Sequence, residues 1–215
     1  ISEMDFPVSL EITKALQERI SREVIGYTSA NEKYYESIIG WYKNRHNVEV
    51  KKRWIMYNPG VINALRNTIR VFTSLNSGVI VQPPVFSDFA QTIKTTGRKI
   101  IKNELIYNDG KYAIDFEDLR IKAEDEKNTL LVLCNPHNPI GEVWNKTDLK
   151  KVIDICNENG VMIFSDEVHS DILREDVDFH PLFSIEGSEN SIVGTSLSKT
   201  FNLTGLKLTN LIIRN

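Results

Sequence analysis

Thr129-Leu130-Leu131-Val132-Leu133-Cys134-Asn135-Pro136-His137-Asn138-Pro139-Ile140-Gly141 is a short apolar run that gives way to a turn-forming stretch. Such runs are what a parallel sheet buries between two layers of helix. Asn145 or Thr147 can cap a following helix, Leu149, Val152, Ile153 and Cys156 fall on its inward face, and Asn159-Gly160 can end it in a left-handed turn. Val161 to Ser165 then reads as the next strand, so this region is a strand, a crossover helix and a strand.

Working outward, further apolar runs at Gly78 to Gln82, Lys99 to Leu105, Ile192 to Thr195 and Leu208 to Ile213 alternate with helical segments. The pattern predicts an α/β fold, a three-layer α/β/α sandwich with a mostly parallel mixed sheet. Three helical stripes precede it. Ile12, Ala15, Leu16 and Ile20 follow a candidate N-cap at Ser9, Tyr35, Ile38, Ile39 and Tyr42 form a second stripe, and Val61, Ile62, Leu65, Ile69 and Phe72 form a third after Asn58-Pro59-Gly60. Residues 1–28 read as an arm and helix segment, and residues 29–215 as one large domain.

The 215 residues are 41% hydrophobic and 26% charged, with a net charge of −3 and both signs interspersed. That composition is globular and offers no basic block for nucleic acid or a membrane surface, which favours a small-molecule partner. Cys134 and Cys156 are too few and too widely spaced for a disulfide framework or a zinc site, and His46, His137 and His180 show no metal spacing. With no apolar run near the roughly 20 residues that span a bilayer, the expectation is a reduced, cytoplasmic protein.

The chemistry-bearing residues gather where strands end: Pro83 to Phe86, Asn135 to Gly141, Asp166 to His169 and Ser196 to Lys199. Open α/β sheets bind ligands at the carboxyl ends of their strands, so four segments are expected on one rim. Lys199 lies in Ser196-Leu197-Ser198-Lys199-Thr200-Phe201-Asn202, downstream of Asn135 to Gly141 and of Ser165-Asp166-Glu167-Val168-His169. A lysine able to form a Schiff base, an acid for a pyridinium nitrogen and hydroxyls for a phosphate are the parts that hold pyridoxal 5'-phosphate. The ordered set resembles the fold-type I pyridoxal phosphate enzymes, the class I and II aminotransferase superfamily, and within it the MalY/PatB group of cystathionine β-lyases.

The resemblance implies roles residue by residue. Lys199 would bond the cofactor aldehyde and move the substrate α-proton, and Asp166 would face the pyridine nitrogen, with a helix N-cap as its bland alternative. Asn138 would donate to the phenolic oxygen, or form only a turn. His169 would join it there, or be a satisfied residue of the wall. Gly60-Val61-Ile62 opens a helix whose N-H groups suit a phosphate, joined by Ser196, Ser198 and Lys207. Lysine at position 207 replaces the arginine of aspartate aminotransferases and gives up the bidentate fork. Phe86 would stack on the cofactor ring or pack in the core. Tyr27 would reach the phosphate of a neighbouring subunit or sit in a turn. Glu3-Met4-Asp5-Phe6-Pro7 resembles the segment that lines the substrate side.

The resemblance runs from Met4 to Asn215, little more than half of a typical member, and no residue matches the carboxyl-terminal arginine that binds the substrate α-carboxylate. A piece of a longer protein lacking the small domain is therefore expected. The implied activity is carbon–sulfur β-elimination of cystathionine or a related cysteine conjugate, giving a thiol, pyruvate and ammonia. The alternatives are an amino-acid aminotransferase and a truncated, non-catalytic binding module. An amino-acid substrate and a homodimer with shared sites complete the expectation.

Overall fold

The computed structural model describes residues 3–214, so Ile1, Ser2 and Asn215 of the expected arm and domain lie outside the described residues. Numbered in chain order, the strands are β1 (Ile55–Pro59), β2 (Gly78–Val81), β3 (Lys99–Lys102), β4 (Ile106–Asn108), β5 (Lys111–Ala113), β6 (Asn128–Cys134), β7 (Met162–Asp166), β8 (Ser191–Ser196) and β9 (Leu208–Ile213). The α-helices are α1 (Leu10–Ile20), α2 (Glu32–His46), α3 (Val61–Phe72), α4 (Ser87–Thr95), α5 (Phe116–Glu124), α6 (Lys146–Glu158) and the single turn α7 (Leu197–Thr200).

Seven strands form one sheet in the order β1-β9-β8-β7-β6-β2-β3, and β4 pairs only with β5. The pairings β3/β2, β2/β6, β6/β7 and β7/β8 are parallel, whereas β8/β9 and β9/β1 are antiparallel. The sheet is therefore mixed and mostly parallel, as the alternation of runs predicts.

Strand residues alternate between two cores, following the period of two. Val79 and Val81 of β2 join Leu130, Val132 and Phe164 under α3 and α4, where Leu65, Ile69, Phe89 and Ile93 are buried. Ile80, Leu131, Leu133 and Ile163 face the opposite way, under Leu119 of α5 and Leu149, Val152 and Ile153 of α6. Each fully buried side chain of this kind stabilises the fold by about 1.5–3 kcal/mol. Asn145 rather than Thr147 caps α6, accepting from the backbone N-H groups of Thr147 and Asp148, and Gly160 takes the left-handed conformation at φ 67°.

Three elements differ from the sequence expectation. The break at Asn58-Pro59-Gly60 is the end of β1, whose edge position suits a terminal proline because the missing N-H costs no ladder bond there. The run after Lys99 ends as a strand at Lys102, although the Asn103 N-H still donates to the Val81 carbonyl and the Leu105 N-H to the Pro83 carbonyl; the buried Asn103 side chain meets Gln82, Asp115 and Asp118. Helix α1 forms with Ser9 as its N-cap, but none of its residues is buried: Leu10 and Ile20 are 69% and 65% exposed.

Candidate active site

The carboxyl ends of β6, β7 and β8 point one way, and the antiparallel pairing of β9 and β1 brings Leu208 and Pro59 to the same rim. Pro59 is thus set beside the lysine turn, and α3 starts there. Gly60, at φ 89°, makes the transition, a backbone conformation that residues with a side chain rarely adopt. A cavity of about 730 Å³ opens at this rim.

Eleven of the residues singled out in the sequence line that cavity: Gly60, Val61, Ile62, Phe86, Asn138, Asp166, His169, Ser196, Ser198, Lys199 and Lys207. Tyr27 does not. It stands fully exposed in the segment between α1 and α2. The cavity also takes in residues that the sequence did not single out, notably Asn63, Arg66, Cys134 and Asn202. Arg66 follows Ile62 by one helical turn, so the spacing of α3 was sufficient to find it. Asn202 donates to the carbonyl oxygens of Met4 and Phe6 and accepts from the Met4 N-H, holding the amino-terminal segment against the site.

At one end of the cavity the donors suit an anion. The free N-H groups at the start of α3 share this end with the hydroxyl of Ser198 and the ammonium of Lys207, and Ser196 Oγ, 2.7 Å from Ser198 Oγ, donates to the Leu208 carbonyl at 2.6 Å. Ser196 also caps α7, accepting from the Ser198 N-H at 3.1 Å, which fixes the start of the turn that carries Lys199.

Deeper in, Asp166 ends β7 with only 4% of its surface exposed, and its Oδ1 accepts from the Val168 N-H at 3.2 Å. Burial pushes its carboxyl up to about 7, against the opposing pull of the Val168 N-H and the Lys199 charge. Burial likewise lowers the His169 imidazole, helped by Lys199, which favours its neutral form. A buried carboxylate that faces a cavity and is held up by desolvation is suited to receive a cationic N-H from a ligand. Together with the anion cradle and Lys199 in the same cavity, this donor set fits pyridoxal phosphate.

The loop from Asn135 to Trp144 closes the adjacent wall. Asn135 accepts from the Trp144 N-H at 3.1 Å, the Trp144 indole donates to the Cys134 carbonyl at 3.1 Å, and the Gly141 N-H donates to the His137 carbonyl at 2.8 Å. Phe86 meets Phe89 edge to face at 5.7 Å between centroids, so one ring serves both the core and the cavity wall.

This fold and site define a class of protein, and comparison with known sequences bears on it directly. The family of aminotransferases of class I and II matches residues 1–215, and the chain belongs to that family. Cystathionine beta-lyase PatB of Bacillus subtilis (strain 168) is 40% identical over 215 residues, which cover 99% of this chain and 56% of PatB. Cystalysin from Treponema denticola, whose crystal structure contains a pyridoxal 5'-phosphate cofactor, superposes with a TM-score of 0.96 at 37% identity, covering 100% of this chain and 55% of that one. The pyridoxal phosphate-bound C-S lyase from Staphylococcus hominis gives a TM-score of 0.94 at 30% identity, covering 100% and 56%. The chain spans about half the length of the relatives it matches.

Proposed function

We propose that the protein to which this chain belongs is a pyridoxal phosphate-dependent carbon–sulfur β-lyase acting on cystathionine or a related cysteine conjugate. The observation that carries the reading is that Lys199 and buried Asp166 share one cavity with an anion cradle built from α3, Ser196, Ser198 and Lys207. When bound, pyridoxal phosphate supplies an electron sink for negative charge at the substrate α-carbon.

The protein's own residues do the rest. Asp166, as the carboxylate, accepts the ring nitrogen's N-H and keeps that proton in place. Asn138 and His169 would serve the phenolic oxygen, Phe86 would pack against the ring, and the N-H groups of Val61 and Ile62 with Ser196, Ser198 and Lys207 would hold the phosphate. Lys199 would hold the cofactor through its aldehyde, and its Nζ, once free, would take the substrate α-proton. With the α-proton on Nζ, the substrate β-carbon–sulfur bond would break with its electron pair on sulfur, and the remaining three-carbon fragment would give pyruvate and ammonia with one water.

The same reading makes residues 1–28 an arm and 29–215 the large domain of a cytoplasmic homodimer, with Tyr27 reaching the neighbouring subunit's phosphate. Two buried, unpaired cysteines suit a reducing compartment, and among the described residues no helix is long and apolar enough to cross a membrane. The test is to reduce the cofactor-loaded protein with borohydride, map the label, and assay pyruvate from cystathionine. Label on Lys199 and pyruvate without a keto-acid acceptor are expected. Strict dependence on an acceptor would make the protein an aminotransferase, the activity for which its family is named.

A further inference from the structure

Behind the lysine turn lies a buried carboxylate to which the chemistry above gives no task. Asp171 follows His169 by two residues, and its side chain is only 8% exposed. Its Oδ2 accepts from the Thr200 hydroxyl at 3.0 Å, and Thr200 is the residue after Lys199. Its Oδ1 accepts from the Trp41 indole at 3.1 Å, with His46 Nε2 at 3.6 Å and Arg45 Nε at 3.7 Å. Trp41 also packs edge to face on Phe201, the next residue of the chain, at 5.4 Å. One carboxylate therefore joins three elements: α2, the turn carrying His169, and the turn carrying Lys199.

Such a junction matters because α7 is a single turn, too short to hold its own direction by helix cooperativity. Lys199 reaches its target through a long, flexible stem, so small rotations of the turn become large displacements of Nζ. We propose that Asp171, acting through the Thr200 hydroxyl, is a positioning residue that anchors the Lys199 turn to α2 and so sets the reach of Nζ toward the cofactor aldehyde. This rests on the reading of Lys199 as the covalent attachment point. Burial alone would raise the Asp171 carboxyl, but bonds from His46, Thr200 and Trp41 hold it below the usual range, so the anchor is charged.

The test uses the full chain with pyridoxal phosphate and two readouts that do not require turnover: the dissociation constant of the cofactor, and the fraction of bound cofactor that borohydride fixes to Lys199. Thr200→Val keeps the shape and removes the hydroxyl. It is expected to weaken binding about ten-fold and to lower the fixed fraction, as the loss of one charge-assisted hydrogen bond implies. Thr200→Ser, which restores the hydroxyl, is expected to return both to within about two-fold of wild type on the same arithmetic. Unchanged values for Thr200→Val, or equal impairment in Val and Ser variants, would overturn the proposal. Should Thr200→Val fail to fold, Asp171→Asn, which preserves volume, is read for the same loss of fixed fraction. Absence of label in the wild type would instead overturn the role of Lys199 and this anchor with it.

Discussion

At the scale of the residue, Asp166 is the group whose environment says most. An acid whose folded value is raised holds its proton more tightly folded than unfolded, so it leaves stability unaffected below 3.8 and lowers it as pH rises toward about 7. Asn at this position cannot ionise and does not incur that loss. Cofactor-free Asp166→Asn is therefore expected to match the wild type near pH 4 and to exceed it above pH 7, by roughly 4 kcal/mol. Urea melts of both proteins across that range check it, and parallel curves would show that the carboxyl is not strained by burial. Glu167, raised to about 8 chiefly by burial and in part by the Asp166 charge, is relieved somewhat in the variant, which acts in the same direction. On the proposed reading the order should reverse with cofactor bound, because the charge that costs stability in the empty site would be the one that receives the ring N-H.

At the scale of the element, the start of α3 is placed by what β8 lacks. A Cβ added to Gly194 would lie 3.1 Å from Val61 Cγ2 and 3.3 Å from Phe164 Cζ, so the helix approaches the sheet closely only over a glycine. Gly194→Ala is expected to cost about 1–3 kcal/mol by overpacking and to weaken cofactor binding by moving the phosphate-facing N-H groups. Denaturant titration and cofactor titration read the two effects separately; lost stability with unchanged affinity would dissociate α3 from the phosphate. A cap, by contrast, acts on one element alone: Asn145→Ala should destabilise the fold by about 1 kcal/mol and leave cofactor affinity unaltered. Helix α6 and strands β6 to β9 were legible in the sequence because burial on both sides imposes continuous apolar runs and because Asn145 and Gly160 mark the helix ends. Strand β1 was not, since Met56 and Tyr57 are 57% and 53% exposed at the sheet edge and Asn58-Pro59-Gly60 carries the local signature of a turn. The hairpin of β4 and β5 announces itself only through Asp109-Gly110, both at positive φ, between strands that bury little. In the site, strand ends were readable from motif residues and Arg66 from the helical spacing after Ile62, whereas the hold of Asn202 on the segment at Met4 needed the three-dimensional placement of that segment.

At the scale of the whole molecule, the arm is the part that this chain does not cover. Leu10, Ile20, Val24 and Ile25 are each at least 65% exposed, and α1 contributes nothing to either core. Apolar surface concentrated in one segment is better explained by a partner than by solvent, and on the proposed reading a second copy would give Tyr27 a phosphate to reach. The chain is accordingly expected to have twice its monomer mass in light scattering. Leu10→Lys with Ile20→Lys should shift it to monomer while the far-ultraviolet circular dichroism of the sheet persists, because neither residue touches the core. Tyr27→Phe separates the two roles of the arm: the ring is kept and the hydroxyl lost, so the dimer should survive while cofactor affinity falls about ten-fold, the scale of a hydrogen bond to a charged group. If Tyr27→Phe binds cofactor as the wild type does, the hydroxyl meets no phosphate and the arm serves assembly alone. If the double lysine variant stays dimeric, the copies meet through another face, and the exposed stripe of α1 must be covered by something else.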